Sequence, residues 1–425
     1  IFKQLRMPDV DGFPTYGEAC GEWVFQWVRA IFGSYDPVAK VRYLREFFCM
    51  IPKKNGKTSI AAAIIVVACI MNESPEGQFI LIAPTIKLAE TAFDHAAGII
   101  KRTAFITDLF YSQPSSRTLK NLNPDIPSKI LIKAADADIV TGVKNATVLV
   151  DETHVFAARP TAKGIFTEIR GALSHPKNRH FLLQITTQSK VPPTGVFRAE
   201  LATARRVRDG KADLPLLPLL YELPLEVVKD GGWKRPETWP LINPHMGRSV
   251  DEAFLADEVS KAEDQGADAL ALVASQHFNV EIGTGQGDDG WTAQRHWDGA
   301  VDATLTLEAL LNRSEVCVVG VDGGGEDDLC GLVVLGREAG SRALLAWCHA
   351  WAQPEVLVRR KSIAPALEGF AADGDLTICE QAFEHVAGVV EVVAQVADRG
   401  LLPAEKGIGI DEAGLPELID ELELA

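Results

Sequence analysis

Apolar residues in the first half of the chain come in short unbroken runs, interspersed with stretches of helical period. Phe47-Phe48-Cys49-Met50, Phe79-Ile80-Leu81-Ile82, Thr147-Val148-Leu149-Val150 and Phe181-Leu182-Leu183-Gln184-Ile185 are four such runs, with a shorter one at Lys129–Lys133. Runs of this kind predict strands buried on both faces. Helical patterns start at Ser59, cover 86–102, and cover 13–35 with Trp23, Phe25, Trp27, Ile31 and Phe32. Strands alternating with helices predict a mainly parallel sheet in an α/β fold. From about 222 the pattern breaks. Pro224, Gly231-Gly232, Pro236, Pro240 and Pro244 predict a linker or lid with little regular structure, and a helical period returns over 250–275. Gly283 to Gly290 reads as a loop. Further on, strands are predicted at Val316–Asp322, its hairpin partner Leu329–Leu335, Ala343–Trp351 and Gly407–Asp411, with a helix around 382–399. Boundaries near 222 and 305 divide the chain into 1–222, 223–305 and 306–425.

Composition narrows the class without deciding it. Hydrophobic content of 47% and charged content of 24% fit a soluble globular protein. The apolar run Ile60–Met71 is too short to span a bilayer and reads as a buried helix, so no membrane partner is expected. No signal peptide is visible, and a start at Ile1 without Met leads us to expect a trimmed N-terminus. The seven cysteines form no C-x-x-C pair and no metal spacing, which predicts free thiols. The net charge of −16 hides an asymmetry: residues 1–220 hold 28 Lys and Arg against 20 Asp and Glu, and residues 221–425 hold 14 against 38. The basic half is the better candidate for touching a polyanion.

Two segments carry the chemistry of the basic half. Ile51-Pro52-Lys53-Lys54-Asn55-Gly56-Lys57-Thr58 lies between a predicted strand and a predicted helix, the context of a phosphate-binding loop. Lys53, Lys54, Asn55 and Gly56 would line a triphosphate. Lys57 would reach its β- and γ-phosphates, and the Thr58 hydroxyl would ligate Mg²⁺. The usual pattern G-x-x-x-x-G-K-[ST] starts with Gly, and Ile51 stands there instead. The second segment is Asp151-Glu152 at the end of the strand 147–150. Asp151 would hold the same Mg²⁺, and Glu152 would polarise the attacking water as a general base. Thr186-Thr187-Gln188-Ser189 follow a third strand, where Thr187 could sense the γ-phosphate. Gln26 on the first helix could read adenine, or be an ordinary exposed helix residue. In the acidic half, Asp322 and Asp411 each end a strand. If those strands are parallel neighbours, the carboxylates converge on Mg²⁺ or Mn²⁺. Two ions about 3.5–4 Å apart suit phosphodiester cleavage. The competing reading makes each Asp a turn cap.

These motifs resemble the large terminase subunit of tailed bacteriophages, the ATP-driven motor and nuclease that packages viral DNA. Pro52-Lys53-Lys54-Asn55-Gly56-Lys57-Thr58 is similar to that family's Pro-Arg/Lys-Lys-Asn-Gly-Lys-Thr/Ser, which also lacks the first Gly. Asp151-Glu152-Thr153-His154 resembles its acidic strand-end motif, and Ile185-Thr186-Thr187-Gln188 resembles the motif that couples hydrolysis to domain movement. Trp239, Asn243-Pro244, Gly247, Phe278-Asn279 and Trp291 resemble the segment between motor and nuclease; Asp322 with Asp328, and then Asp411, resemble the nuclease motifs.

The resemblance implies a P-loop ATPase domain of RecA-like kind over 1–222, a linker or lid over 223–305, and an RNase H-like nuclease domain over 306–425. It implies ATP with Mg²⁺ at the first site and Mg²⁺ or Mn²⁺ at the second. The implied partners are double-stranded DNA, a portal protein, a small terminase subunit and further copies in a ring, expected to be a pentamer. The implied setting is the host cytoplasm, docked transiently on a procapsid. A third nuclease carboxylate is expected downstream of Asp411, beyond Ala425, in a nuclease domain truncated at its C-terminus. A cation completing the ATPase site from a neighbouring subunit is expected among Arg102, Arg117, Lys144 and Arg170, with Lys53 and Lys54 able to act in cis. DNA grip is expected from the run Arg198, Arg205, Arg206 and Arg208. Two rival readings are an ATP-dependent helicase or translocase, and a non-catalytic assembly scaffold with a nucleotide-binding fold.

Overall fold

The computed structural model describes residues 1–425 except 134–145, 157–160, 176–177, 283–299, 303, 324–327, 361–362, 382, 411–417, 420 and 423–425. The chain divides into two compact units, Ile1–Thr292 and Ala293–Ala425. Strands are numbered in chain order. A short ribbon pairs β1 (Tyr35–Asp36) with β2 (Val41–Arg42).

The first unit is built on an eight-stranded sheet. Its strands are β3 (Glu46–Met50), β4 (Gly77–Ile82), β5 (Phe110–Gln113), β6 (Thr118–Asn121), β7 (Ser128–Ile132), β8 (Ala146–Asp151), β9 (Leu182–Thr186) and β10 (Leu216–Leu220). They lie in the order β10-β3-β9-β8-β4-β7-β6-β5. The first six are parallel and the last two turn antiparallel. Every residue of β8 and β9 is buried, as their unbroken apolar runs require. The Lys57–Ile70 helix is apolar on all sides, and Ser59 through Cys69 are all buried. It is therefore a central helix, enclosed by the sheet and by the apolar faces of Glu22–Gly33 and Ile86–Arg102. Arg42 ties the ribbon down, donating from Nη1 to Ile31 O at 2.8 Å and from Nε to Arg179 O at 2.8 Å.

Residues 223–282 differ from the expected loose lid. They form the helices Leu225–Lys229, Trp239–Ile242, Glu252–Gln265 and Ala267–Phe278. These enclose a core of Trp233, Trp239, Ile242, Leu255, Val259 and Phe278. The prolines and glycines here break helices into short pieces without preventing burial. Gly266 joins two of them at φ 99°, a backbone conformation open to glycine and little else.

The second unit carries β11 (Ser314–Asp322), β12 (Leu329–Glu338), β13 (Leu344–Ala352), β14 (Leu376–Ile378) and β15 (Ile408–Ile410), ordered β14-β13-β12-β11-β15. β11, β12 and β13 form an antiparallel meander, and β15 runs parallel beside β11 with Val321 opposite Ile410. The Glu384–Asp398 helix sets Val386, Val389, Val393 and Val396 against Cys317, Val319 and Val321. Gly388 allows that helix to approach closely, since a Cβ there would fall 2.6 Å from the Trp351 ring. All seven cysteines are free, six of them buried. No described helix is long and apolar enough to cross a membrane.

Candidate active site

The C-terminal edge of the large sheet gathers the predicted residues. β9 lies between β3 and β8, so the loop after β3, the acidic end of β8 and the Thr-rich end of β9 meet at adjacent strand ends. Ligands of open α/β sheets bind at such an edge.

The loop after β3 takes its shape from Asn55. This fully buried side chain donates from Nδ2 to Pro52 O at 3.2 Å, Lys53 O at 3.3 Å and Asn243 Oδ1 at 2.8 Å. Its Oδ1 accepts from His245 N at 3.2 Å. Lys54 and Gly56 are left-handed, with φ of 70° and 76°, which folds the loop tightly before the helix begins at Lys57. Gly56 caps that helix without a side-chain bond, so the first-turn N–H groups are left for an anion. Ile51, in the place of the usual first Gly, is fully buried in the main core, and its N donates to Thr186 O at 3.1 Å. The position serves packing here rather than backbone flexibility.

Around this loop the charged groups interlock. Lys57 Nζ lies 3.1 Å from Glu152 Oε1. Thr58 Oγ1 donates to Asp151 Oδ2 at 2.9 Å, and Glu152 N donates to Asp151 Oδ1 at 2.8 Å. Burial, and then the Glu152 charge beside it, raise the Asp151 carboxyl well above the usual carboxylate range. Burial would raise Glu152 too, but the His154 and Lys57 contacts outweigh it and hold Glu152 low and ionised. Lys53 is shifted down, by desolvation first and then by Lys190, Lys57 and Lys54. Several ammonium groups therefore share one small region, which favours a polyanionic ligand. Hydroxyl and carboxylate oxygens side by side at Thr58 and Asp151 are the hard donors a Mg²⁺ ion prefers, so the residues present fit that ion. Thr187 Oγ1 and Thr153 Oγ1 are buried and unpartnered, leaving polar capacity in the strand ends.

Lys190, His245 and Gln276 were not singled out from the sequence, and the motifs that contain His154, Asn55 and Asn243 do not announce their contacts, which join residues far apart in the chain. Gln276 O accepts from Lys53 N at 3.0 Å, Gln276 Nε2 donates to Gln188 O at 2.9 Å, and Asn279 Oδ1 accepts from Gln188 N at 3.0 Å. The helical segment thus grips both the phosphate loop and the end of β9. Gln26 is exposed on its helix, and no described contact joins it to the Lys57–Glu152 cluster.

Most of the arginines expected to meet DNA or a neighbouring site have partners within their own chain. Arg205 pairs with Glu222 and Glu281, and Arg208 with Glu222 and Asp209, so these guanidinium groups also hold the fold together. Arg170 chelates Glu46 and Glu200, Arg117 pairs with Glu90, and Arg102 sits 3.5 Å over the Phe13 ring. Each has a structural partner in its own chain. Lys144 lies outside the described residues.

In the second unit, β11 and β15 are parallel neighbours, as the convergence of Asp322 and Asp411 requires. Asp322 ends β11 and is exposed. Asp328 Oδ1 accepts from Leu329 N at 2.9 Å, and thus caps its own strand. Asp411 and Trp291 lie outside the described residues. Among the described residues no three His, Cys, Asp or Glu side chains are grouped to hold a metal.

The parallel sheet, the Gly-Lys-Thr loop and the Asp-Glu strand end define a P-loop nucleotide-hydrolase fold. Residues 22–193 match the family model of the terminase large subunit, ATPase domain. The match bears out the resemblance drawn from the motifs. The crystal structure of the HK97 bacteriophage large terminase is similar over 100% of this chain and 81% of its own, with TM-score 0.56 and 17% identity. It shares the fold, and the sheet of the second unit is consistent with a nuclease-like domain. A large terminase from a thermophilic bacteriophage, in complex with ADP, matches over 94% of this chain and 90% of its own at 11% identity, with TM-score 0.39. The Thermus phage P74-26 large terminase ATPase domain matches over 40% and 69% at 20% identity, with TM-score 0.28. No curated protein matches the chain in sequence.

Proposed function

We propose that the protein is a viral genome-packaging motor subunit that hydrolyses ATP to move double-stranded DNA, and that its second unit is a metal-dependent nuclease. The carrying observation is the cluster Lys57, Thr58, Asp151 and Glu152 at one sheet edge. Lys57 and the first-turn N–H groups bind the triphosphate. Thr58 and Asp151 would hold Mg²⁺, which neutralises phosphate charge when bound. Glu152 takes a proton from water as the water oxygen attacks the γ-phosphorus, and the bond from that phosphorus to the β,γ-bridging oxygen breaks. Thr187 faces the same edge and senses the γ-phosphate, and Gln26, exposed on its helix, reads adenine once the nucleotide is bound. In this reading 1–222 is the ATPase domain, 223–305 the linker segment whose helices over 225–278 grip the phosphate loop, and 306–425 the nuclease domain with Asp322 and Asp411 as its Mg²⁺ or Mn²⁺ ligands. The partners are duplex DNA, a portal, a small terminase subunit and a ring of copies, five on the portal, in the host cytoplasm.

The test is ATP turnover by the purified protein across a salt series, with and without duplex DNA. DNA should stimulate turnover, and the stimulation should fall steeply as salt rises, because backbone contacts release counterions. A salt-independent response would argue against grip through phosphates. Asp322→Asn in a chain that extends past the Asp411 strand should abolish DNA cutting and spare ATP turnover. Loss of both would mean the two activities are not divided between the units as proposed.

A further inference from the structure

We propose that His154 is a positioning residue through which the end of β9 sets the aim of the Glu152 carboxylate. This inference rests on the ATPase reading above. Glu152 follows β8 in a left-handed conformation, φ 54°, that few non-glycine residues adopt. Its two oxygens have different neighbours: Oε1 is 3.1 Å from Lys57 Nζ, and Oε2 is 3.2 Å from His154 Nδ1. A triphosphate competes with Glu152 for the Lys57 ammonium. Nothing but the His154 contact then holds the carboxylate from a side chain among the described residues.

The hydrogen bonds of Thr186 determine what His154 can offer. Thr186 Oγ1 donates its one proton to Thr187 O at 2.9 Å. It can therefore only accept from His154, which approaches it twice, through backbone N at 3.1 Å and ring Nδ1 at 3.1 Å. The ring proton accordingly sits on Nδ1 and is donated to Thr186 Oγ1, while Glu152 Oε2 lies 3.2 Å from the same nitrogen as a buried oxygen with no hydrogen bond of its own. The ring is only 8% exposed and packs edge-on against Phe197, so it has little freedom to turn. A small displacement of Thr186 frees the Nδ1 proton to turn to the unpartnered Glu152 Oε2 beside it and so re-aims Glu152. Thr186 is in turn held by the loop, through Ile51 N on its carbonyl. Two residues on, Gln188 is bound by Gln276 and Asn279 of the helical segment. Movement of that segment thus has a route of direct contacts to the general base.

The experiment compares kcat, KM and equilibrium nucleotide affinity for His154→Ala, His154→Asn, Thr186→Val, Thr186→Ser and the double variant His154→Ala with Thr186→Val. His154→Ala and Thr186→Val should each lower kcat about tenfold or more while nucleotide affinity stays within about twofold. His154→Asn, which keeps an N–H donor near Nδ1, and Thr186→Ser, which keeps the hydroxyl, should retain most of kcat. The double variant should be no slower than the worse single one, because both remove one linkage. Losses that multiply in the double variant, or affinity that falls in parallel with kcat, overturn the proposal. Absence of turnover in the unsubstituted protein would sink the ATPase reading and this inference together, whereas normal turnover with multiplying losses would sink this inference alone.

Discussion

Glu152→Gln should lower kcat by about 10²–10⁴-fold while nucleotide binding is kept or strengthened. The amide is the same size as the carboxylate and cannot take a proton from water. The strengthening follows from the ion pair: Glu152 Oε1 now occupies Lys57 Nζ at 3.1 Å, and a neutral Gln releases that ammonium to the phosphates. Asp151 also loses an adjacent negative charge, which is the second cause of its raised pKa after burial. Its carboxylate should ionise more readily in the variant and so be better prepared for a divalent cation. Single-turnover hydrolysis together with fluorescent-nucleotide titration separates the two effects. Unchanged hydrolysis would remove Glu152 from the mechanism and return the cluster to a structural ion pair.

Lys57→Ala should abolish measurable turnover, a loss of about 10²–10³-fold or more, and weaken nucleotide binding. The lost group is the ammonium that neutralises phosphate charge in the bound and reacting states. A second consequence belongs to the protein itself. Removing Lys57 leaves Glu152 with His154 alone, in a site where both members of the pair are mostly buried. Breaking such a pair from one side costs up to roughly 3–5 kcal/mol, because the remaining charge is uncompensated. Thermal melts should therefore show a destabilised Lys57→Ala and a partial recovery in the double variant with Glu152→Gln, which still lacks activity. Recovered stability without recovered turnover distinguishes lost chemistry from lost folding. Full turnover in Lys57→Ala would refute the phosphate-loop reading outright.

The strands with continuous apolar runs were legible because burial on both faces leaves that mark at short range. β8 and β9 are buried at every position, and the sequence shows both as blocks without alternation. β5, β6 and β10 escaped notice. β5 has two exposed positions of four, and β10 is half-buried throughout, so neither carries a strong period. The helical segment was misjudged for another reason. Gly and Pro density over 223–249 signals broken helices, but nothing local says that Trp233, Trp239 and Phe278 will close a core around them.

The arginine run 198–208 shows the same limit from the electrostatic side. Its charges look free along the chain, and Glu222 and Glu281, which engage Arg205 and Arg208, lie many residues away. Coulomb attraction depends on distance in space, and a one-dimensional pattern holds that distance only between near neighbours.

By itself, then, the sequence determined which residues could do chemistry. Gly56-Lys57-Thr58 and Asp151-Glu152 each sit where a buried strand ends, and strand burial is a local property of apolar runs. The tertiary structure alone decided that β9 inserts between β3 and β8, that Asn243 and Gln276 brace the phosphate loop, and that His154 stands between Glu152 and Thr186. Those relations are set by strand order and by hydrogen bonds across long stretches of chain, which arise only once the backbone has closed on itself.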